Sequence, residues 1–363
     1  MPGHFNRTGF VNLQVMVRDI VTDLKSAGFT LLTAYTAVAQ GANTAPNHDE
    51  NTHVYVLAPT TAVDPLAVEE GATSDPNYSR RQPWRLVIQV SHADHYIRYW
   101  ACTPTQVITE ANGLISVSAY KADATDVRQS GFFGKNNIVS VGPNQKYFFR
   151  AFKDANNTVW PSFNGEELDY EALPMSYMLS VTDHGVTLNT WAESYDSSGK
   201  CFNWFAIQRL VKEDGSILLD EKSPLFCLFT QDGGGGTDDN AISPDGILYF
   251  VVREEDISAP TIPLSAVVAS ADSFPLINPI QQVGMMVNRN FVIHFPKGMN
   301  THRYYYPYKL DMIGYASAEL LSQKSVQPLT MFGQQRVYEA IQANSPYNKG
   351  VRICVMKQGA GIQ

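Results

Sequence analysis

The chain has 363 residues, of which 44% are hydrophobic and only 17% are charged, and its formal net charge is −8 at pH 7. This length allows one large domain or two ordinary ones, and an acidic chain without a basic tract is not expected to bind nucleic acid nonspecifically. No apolar run approaches the ~20 residues that a membrane helix needs, and the opening MPGHFNRTGF lacks the apolar centre of a signal peptide. A surface poor in charge is typical of a subunit that partners cover.

The cysteines predict neither a metal site nor a redox motif. The four residues are far apart and form no C-x-x-C pair; they are Cys102, Cys201, Cys227 and Cys354. Each lies among apolar neighbours, so we expect buried, reduced thiols. We expect no cofactor.

The N-terminal part is predicted to contain one helix followed by strands. A stripe at three-to-four spacing predicts a first helix, and it consists of Leu13, Val17, Ile20, Leu24 and Ala27. Gly28 stands where a C-terminal cap is expected. Strand composition follows in FTLLTAYTAV, THVYVLAP, WRLVIQV, YIRYWACT and LISVSAYKA. Residues 64–83, with three prolines and no periodicity, are predicted to form an exposed excursion, and an N-terminal α+β lobe is predicted over residues 1–145.

From Tyr147 onward the pattern changes to successive strands joined by short turns. The strand segments are YFFRAFKD, SYMLSVTDHGVTLNTWAES, CFNWFAIQRLV, PLFCLFT, GILYFVVRE and FVIHFP. The turns between them contain DHG, DSSG, EDG and PDG, and strands connected without helices favour antiparallel pairing. A hairpin around Asp183-His184-Gly185 is the clearest local prediction. We also expect Trp191 and Trp204 to be buried and to face one core from neighbouring strands.

The end of the chain is predicted to mix helix and strand within a β-rich lobe over residues 146–363. In DMIGYASAELLSQKS, a short helix would place Met312, Ile313, Ala316 and Leu320 inward. RVYEAIQANSP fits either type, and VRICVMKQG resembles a final buried strand. The predicted fold class is therefore α+β, predominantly antiparallel sheet with an N-terminal helix and a few short C-terminal helices.

The run QDGGGGTDDN raises three possible uses. A phosphate loop needs a lysine after the glycines, whereas aspartates follow here and repel phosphate. A calcium site would use Asp232, Asp238, Asp239 and Asn240, but their spacing differs from that of an EF-hand loop. The remaining interpretation is a deformable tip that becomes ordered against a neighbouring subunit, formed by Gly233, Gly234, Gly235 and Gly236.

The other candidate sites have plainer explanations. His92 and His95 have metal-like spacing, but they lie between two predicted strands and fit a solvated turn better. Glu254, Glu255 and Asp256 follow a strand directly, and adjacent strand residues point to opposite faces, which makes them a poor catalytic pair. Asp183 with Glu193 flanks a hairpin and fits turn chemistry. No G-x-S-x-G motif is present, so no catalytic residue is predicted.

The run HRYYYPYKLDM is predicted to contribute to a core or to a protein interface. Aromatic residues at this density can stack on bases or sugars, but Tyr is also enriched at protein interfaces. Few basic residues accompany the run, which makes nucleic acid the weaker option. The candidate interface residues are Tyr304, Tyr305, Tyr306 and Tyr308.

Several segments resemble uncharacterised virion structural proteins of tailed bacteriophages, mostly contractile-tailed ones. They are SYMLSVTDHGVTLNTWAES, CFNWFAIQRLV, KSPLFCLF, YFVVREED, YKLDMIGYASAELLSQKS and ANSPYNKGVRICVMKQGAGI. The resemblance covers the chain from about Tyr147 onward and transfers no active-site residue. It implies a tail, baseplate or neck component of a virion, made in the cytoplasm of the host bacterium.

Such a component would assemble with other virion proteins, in a homo-oligomer or a ring, without direct contact to nucleic acid or membrane. Two alternatives remain from the sequence. One is a carbohydrate-binding or depolymerising tail protein, since Trp191, Trp204 and the tyrosine run could stack on sugars. The other is a cytosolic enzyme with a nonstandard site.

Overall fold

The structure is a computed structural model, and it describes the chain in segments. These are residues 3–36, 52–69, 83–91, 96–102, 104, 107–109, 115–117, 133–134, 152–153, 159–160, 162–163, 166–167, 175–192, 202–209, 211–212, 214–217, 225–231, 243–251, 291–294, 303–306, 311–317, 326–331, 334–340 and 351–358. Within them there is one α-helix, and none of the described helical segments is long and apolar enough to cross a membrane.

The described elements are one helix and 23 strands. The helix is α1 (Leu13–Ser26). The strands of the first half are β1 (Gly3–Phe10), β2 (Phe29–Thr36), β3 (Thr52–Pro59), β4 (Arg85–Ser91), β5 (Tyr96–Cys102), β6 (Val107–Thr109), β7 (Ile115–Val117), β8 (Phe133–Gly134), β9 (Phe152–Lys153), β10 (Val159–Trp160), β11 (Ser162–Phe163) and β12 (Glu166–Glu167). Those of the second half are β13 (Met175–Thr182), β14 (Gly185–Ala192), β15 (Phe202–Arg209), β16 (Leu225–Gln231), β17 (Ser243–Val251), β18 (Phe291–His294), β19 (Arg303–Tyr306), β20 (Ile313–Ser317), β21 (Val326–Met331), β22 (Gln334–Ala340) and β23 (Val351–Gln358).

Three sheets contain most of these strands, and every described pairing is antiparallel. The central sheet has the order β1-β13-β14-β15-β16-β17. The N-terminal sheet has the order β2-β3-β4-β5-β8, and the C-terminal sheet has the order β20-β23-β22-β21. Four further pairs are β6 with β7, β9 with β10, β11 with β12, and β18 with β19. The prediction of a mostly antiparallel fold with an N-terminal helix is thereby confirmed.

Helix α1 begins and ends where its sequence predicts. The Asn12 side chain accepts hydrogen bonds from the backbone N–H groups of Gln14 and Val15, at 2.9 and 3.1 Å, and so caps the first turn. Gly28, with φ +117°, takes the left-handed conformation that ends many helices. The predicted apolar stripe is buried, as are Met16 and Val21.

The central sheet is buried on both faces at β13, β14 and β15. Along β13, Met175, Tyr177, Leu179 and Val181 belong to a core cluster shared with α1 and the N-terminal sheet. The intervening residues of β13 turn to the opposite face because strand side chains alternate. Ser180 on that face donates a hydrogen bond to the Met356 carbonyl of β23. The C-terminal sheet thus lies on the face of β13 opposite to α1.

The core draws residues from both predicted lobes. Strand β1 pairs with β13 from Gly3 opposite Val181 onward, and Tyr99 contacts Phe205 with ring centroids 4.9 Å apart. A division of the chain near residues 140–150 remains a prediction, because residues 135–151 lie outside the described segments.

Two local predictions differ from the structure. Residues 313–317 form strand β20, paired with β23, where a short helix was predicted. The apolar spacing fits both types, and pairing with β23 decides in favour of a strand, helped by Gly314, which is a weak helix former. Further C-terminal helices remain a prediction for residues outside the described segments.

The excursion predicted over residues 64–83 is wrong for its first residues. Asp64 is 1% exposed and Leu66 is fully buried. The segment folds back because Thr60 bonds the Gly28 carbonyl from its backbone N–H and its hydroxyl, at 2.9 and 2.7 Å. Residues 70–82 lie outside the described segments.

The predicted hairpin at Asp183-His184-Gly185 is confirmed. Thr182 pairs with Gly185, which leaves Asp183 and His184 as a two-residue turn. Trp191 and Trp204 lie in β14 and β15, opposite Phe202 and Asn189, and the burial of their side chains remains a prediction.

Replacing Gly185 by Ala is expected to destabilise the protein by more than about 3 kcal/mol or to prevent folding. Gly185 has φ +149°, and an added Cβ would lie 2.1 Å from the Ile207 carbonyl oxygen. Gly9→Ala is the control, because Gly9 also has positive φ, +81°, but no described atom lies within 4 Å of its added Cβ. It should cost only about 1–2 kcal/mol. Urea unfolding measures both values, and equal costs would contradict the close approach at Gly185.

Candidate functional site

A cluster of four polar residues joins the central sheet to the C-terminal sheet. His184, in the β13–β14 turn, is 6% exposed, and its Nδ1 lies 2.6 Å from Oδ2 of the fully buried Asp311. Arg336 of β22 donates to the same carboxylate oxygen from Nη1, and Tyr338 donates from its hydroxyl to the Asp311 carbonyl. Arg336 and Tyr338 share a face of β22 because they are two residues apart. These four residues are called the polar cluster below.

The charges of the polar cluster hold each other ionised. Burial disfavours the charged form of His184, but the charge and hydrogen bond of Asp311, with help from Asp183, outweigh it and raise the pKa of His184 above its ordinary value. Burial likewise opposes ionisation of Asp311, yet His184 and Arg336 hold the pKa of Asp311 below its ordinary value. The arrangement is therefore an imidazolium and a guanidinium sharing one buried carboxylate.

Further contacts fix the C-terminal sheet around the polar cluster. The Met312 backbone N–H donates to Gln208 Oε1 of β15 at 3.1 Å. Ser180 donates to the Met356 carbonyl at 2.8 Å, and His4 Nδ1 lies 2.8 Å from the same Ser180 hydroxyl. Since the Ser180 proton is used on Met356, His4 must donate from Nδ1. The central sheet is thus linked to the C-terminal sheet through β13, β15 and the turn between β13 and β14.

The opposite face of the central sheet contains a second buried ion pair. Arg209, at the end of β15, contacts Asp64 Oδ2 from Nε at 3.1 Å and from Nη2 at 3.0 Å, and both side chains are almost fully buried. Trp84 donates from its indole N–H to the same oxygen at 2.8 Å. This network joins the residue 60–67 segment and the strand β4 region to the central sheet.

A third network ties α1 to β13 and β1. Tyr177 donates to Asp23 Oδ2 at 2.6 Å, and Arg7 of β1 donates to both oxygens of Asp23, at 2.8 and 2.6 Å. Burial raises the pKa of the Tyr177 hydroxyl, as does its hydrogen bond to Asp23, so this group remains a donor. These hydrogen bonds fix the rotation of α1 about its axis, in addition to the packing of its apolar stripe.

The polar cluster contains a His–Asp pair like that of a hydrolase, but the Nε2 atom of His184 has a different environment. In a hydrolase, the Nδ1 side of the histidine bonds the aspartate and Nε2 takes a proton from a nucleophile. Here Nε2 lies 3.4 Å from Oδ1 of Asp183, a side chain that is 70% exposed. Both ring nitrogens therefore face carboxylates, which stabilises a charged imidazolium and leaves it a poor general base.

Three of the eight interface residues predicted from sequence fall within the described segments. Tyr304, Tyr305 and Tyr306 are in β19, opposite Ile293, Val292 and Phe291 of β18. Gly233–Gly236 and Tyr308 lie outside the described segments, as do His92, His95, Glu193 and residues 254–256. Among the described residues, no group of three or more His, Cys, Asp and Glu side chains is arranged to hold a metal ion.

Sequence reasoning missed the buried charges. Asp311 was considered only as part of the tyrosine run and of a helix segment, Asp64 only as part of an exposed excursion, and Arg209 only as a strand residue. One usable signal was the position of Arg209 after an apolar strand run, in FAIQR, since a strand buried on both faces leaves its charge no route to water. Asp64 lies 145 residues from its partner Arg209 and Asp311 lies 127 residues from its partner His184, so short-range patterns cannot pair these charges.

No protein-family model, curated protein or solved structure matches the chain.

Replacing Asp311 by Asn is expected to destabilise the protein by about 3–5 kcal/mol, because His184 and Arg336 would lose their shared buried anion. Asp183→Asn is the matched control, since Asp183 also faces His184 but from an exposed position, and it should change the free energy of unfolding by less than about 1 kcal/mol. Urea denaturation at neutral pH measures both. A loss below about 1 kcal/mol for Asp311→Asn would show that the polar cluster does not hold the sheets together.

Proposed function

We propose that the chain is a structural subunit of a bacteriophage virion, a tail, baseplate or neck component that acts by assembly with other proteins and not by catalysis. The proposal rests on how the buried charges are used. Asp311, Asp64 and Asp23 each bind an arginine contributed by a different element of the same chain. These charges connect layers of the fold, which supports a structural role better than it supports a substrate site.

The geometry of His184 supports the same interpretation. A general acid or base must be able to reach a substrate, whereas this imidazole is 6% exposed and lies between two carboxylates. Its two ring nitrogens face the carboxylates of Asp311 and Asp183. The strongest candidate for acid–base chemistry in the described residues is thus better explained as a contact between sheets.

Assembly would use surfaces that the internal networks leave exposed. Val11, which precedes the Asn12 cap of α1, and Val15, in the first turn of α1, are 58% and 49% exposed. The sequence adds the glycine run Gly233–Gly236 and the tyrosines 304–306 and 308 as interface candidates. Partners would be other virion proteins or further copies of this chain in an oligomer or ring, with the virion as the final location.

The resemblance of the chain from about Tyr147 onward to virion structural proteins of tailed bacteriophages supports this role. The net charge of −8 favours protein partners over nucleic acid, because an acidic surface repels phosphate. Neither a cofactor nor a membrane is part of the proposed role.

Mass spectrometry of purified, nuclease-treated particles tests the proposal directly. In particles of the phage whose genome encodes this chain, we expect the chain at a fixed ratio to the major tail or capsid protein through successive density gradients. An abundant non-structural phage protein serves as the control and should be lost during purification. A chain that is lost together with this control would contradict a virion role.

A further inference from the structure

The contact between the central and C-terminal sheets contains two histidines whose surroundings favour opposite protonation states. His184 lies in the polar cluster, and His4 of β1 bonds Ser180, which in turn bonds Met356 of β23. Burial and the nearby Arg336 both act to lower the pKa of each histidine, although Asp311 and Asp183 outweigh them at His184. A proton gained at one position and a proton lost at the other therefore affect the same contact.

The geometry around His184 calls for the charged form. Nδ1 lies 2.6 Å from Asp311 Oδ2 and Nε2 lies 3.4 Å from Asp183 Oδ1. A neutral imidazole has one N–H, so it would present a lone pair to one of these carboxylates. The groups facing His184 are Asp183, Asp311 and Arg336, two anions and one cation. Losing the imidazolium proton would leave these groups with a net negative charge around His184.

The surroundings of His4 favour the neutral form. Its Nδ1–H can donate to Ser180 in either protonation state, but the ring is buried beside the cation Arg336, which disfavours a charged imidazolium. Burial and Arg336 lower the pKa of His4 to about 4. A proton added to His4 would place a second positive charge beside Arg336 at the edge of the same contact.

We propose that the C-terminal sheet is docked on the central sheet by a proton-controlled contact, tightest near neutral pH, that loosens in alkali through His184 and in acid through His4. This control is independent of what the chain assembles with. It would let a subunit change the position of its C-terminal sheet in response to the pH of its surroundings.

The direction of each effect follows from linkage between protonation and folding. A histidine with a raised pKa contributes stability that is complete below its unfolded value of about 6.5 and is lost as the pH rises through its folded pKa. A histidine with a lowered pKa contributes stability that is complete above about 6.5 and is lost as the pH falls toward its folded value, about 4 for His4. Together they predict a stability maximum near neutral pH.

Urea midpoints of the full chain between pH 4.5 and 9 test the proposal. The wild type should lose stability on both sides of neutral pH; His184→Gln should remove most of the alkaline loss, and His4→Gln most of the acid loss below pH 6.5. His53→Gln is the control, because His53 lies on the N-terminal sheet and stacks on Tyr55, and it should keep the alkaline loss. An alkaline loss that persists unchanged in His184→Gln would overturn the proposal.

If a variant fails to fold, NMR titration of the histidines in the wild-type protein tests the proposed protonation states. His184 should titrate above about 6.5 and His4 well below it. A His184 midpoint below about 6.5 would overturn the proposal.

Hydrogen exchange shows which sheet loosens. Between pH 6.5 and pH 9, corrected for intrinsic exchange, protection of β23 amides should fall more than that of α1 amides, because loss of the His184 proton weakens the contact that docks β23. Equal losses in β23 and α1 would overturn the role of the contact in docking.

Discussion

Strand β13 is buried on both faces, and the rest of the structure depends on this constraint. The side chains on both faces of such a strand are shielded from water. Each polar group on the strand or beside it therefore needs a hydrogen-bond partner within the protein. Tyr177 donates a hydrogen bond to Asp23 on the helix side, and Ser180 donates one to the Met356 carbonyl on the other side. The layers of the fold are connected at the points where these needs are met.

Apolar and polar contacts have different roles in this arrangement. Burial of the core shared by α1 and the N-terminal and central sheets supplies most of the stabilisation, because apolar burial contributes roughly 25 cal/mol per Å² and has no preferred direction. The ion pairs of Asp64 and Asp311 contribute less on balance, since removing charges from water offsets much of their attraction. They are directional, however, and we infer that they select which surface of each sheet faces its neighbour.

Local sequence patterns predicted the elements of this fold well where the residues on one face of an element determine its type. The stripe of α1, the Gly28 position after it and the Asp183-His184 hairpin follow from residues a few positions apart. The misassigned strand β20 shows the limit, because its apolar spacing fits a helix until β23 supplies the pairing. The polar cluster could not be predicted from sequence, since Asp311 reaches His184 across 127 residues and its burial arises only when two sheets stack.

Docking of the C-terminal sheet depends on His184 and Asp311 acting as one contact between the sheets. A double-mutant cycle with His184→Gln, Asp311→Asn and the combined variant, measured by urea unfolding near pH 6.5, tests this claim most directly. We expect the two single losses to exceed the loss of the double variant by more than about 1 kcal/mol, the coupling typical of residues in direct contact. Additivity within about 0.5 kcal/mol would contradict the account.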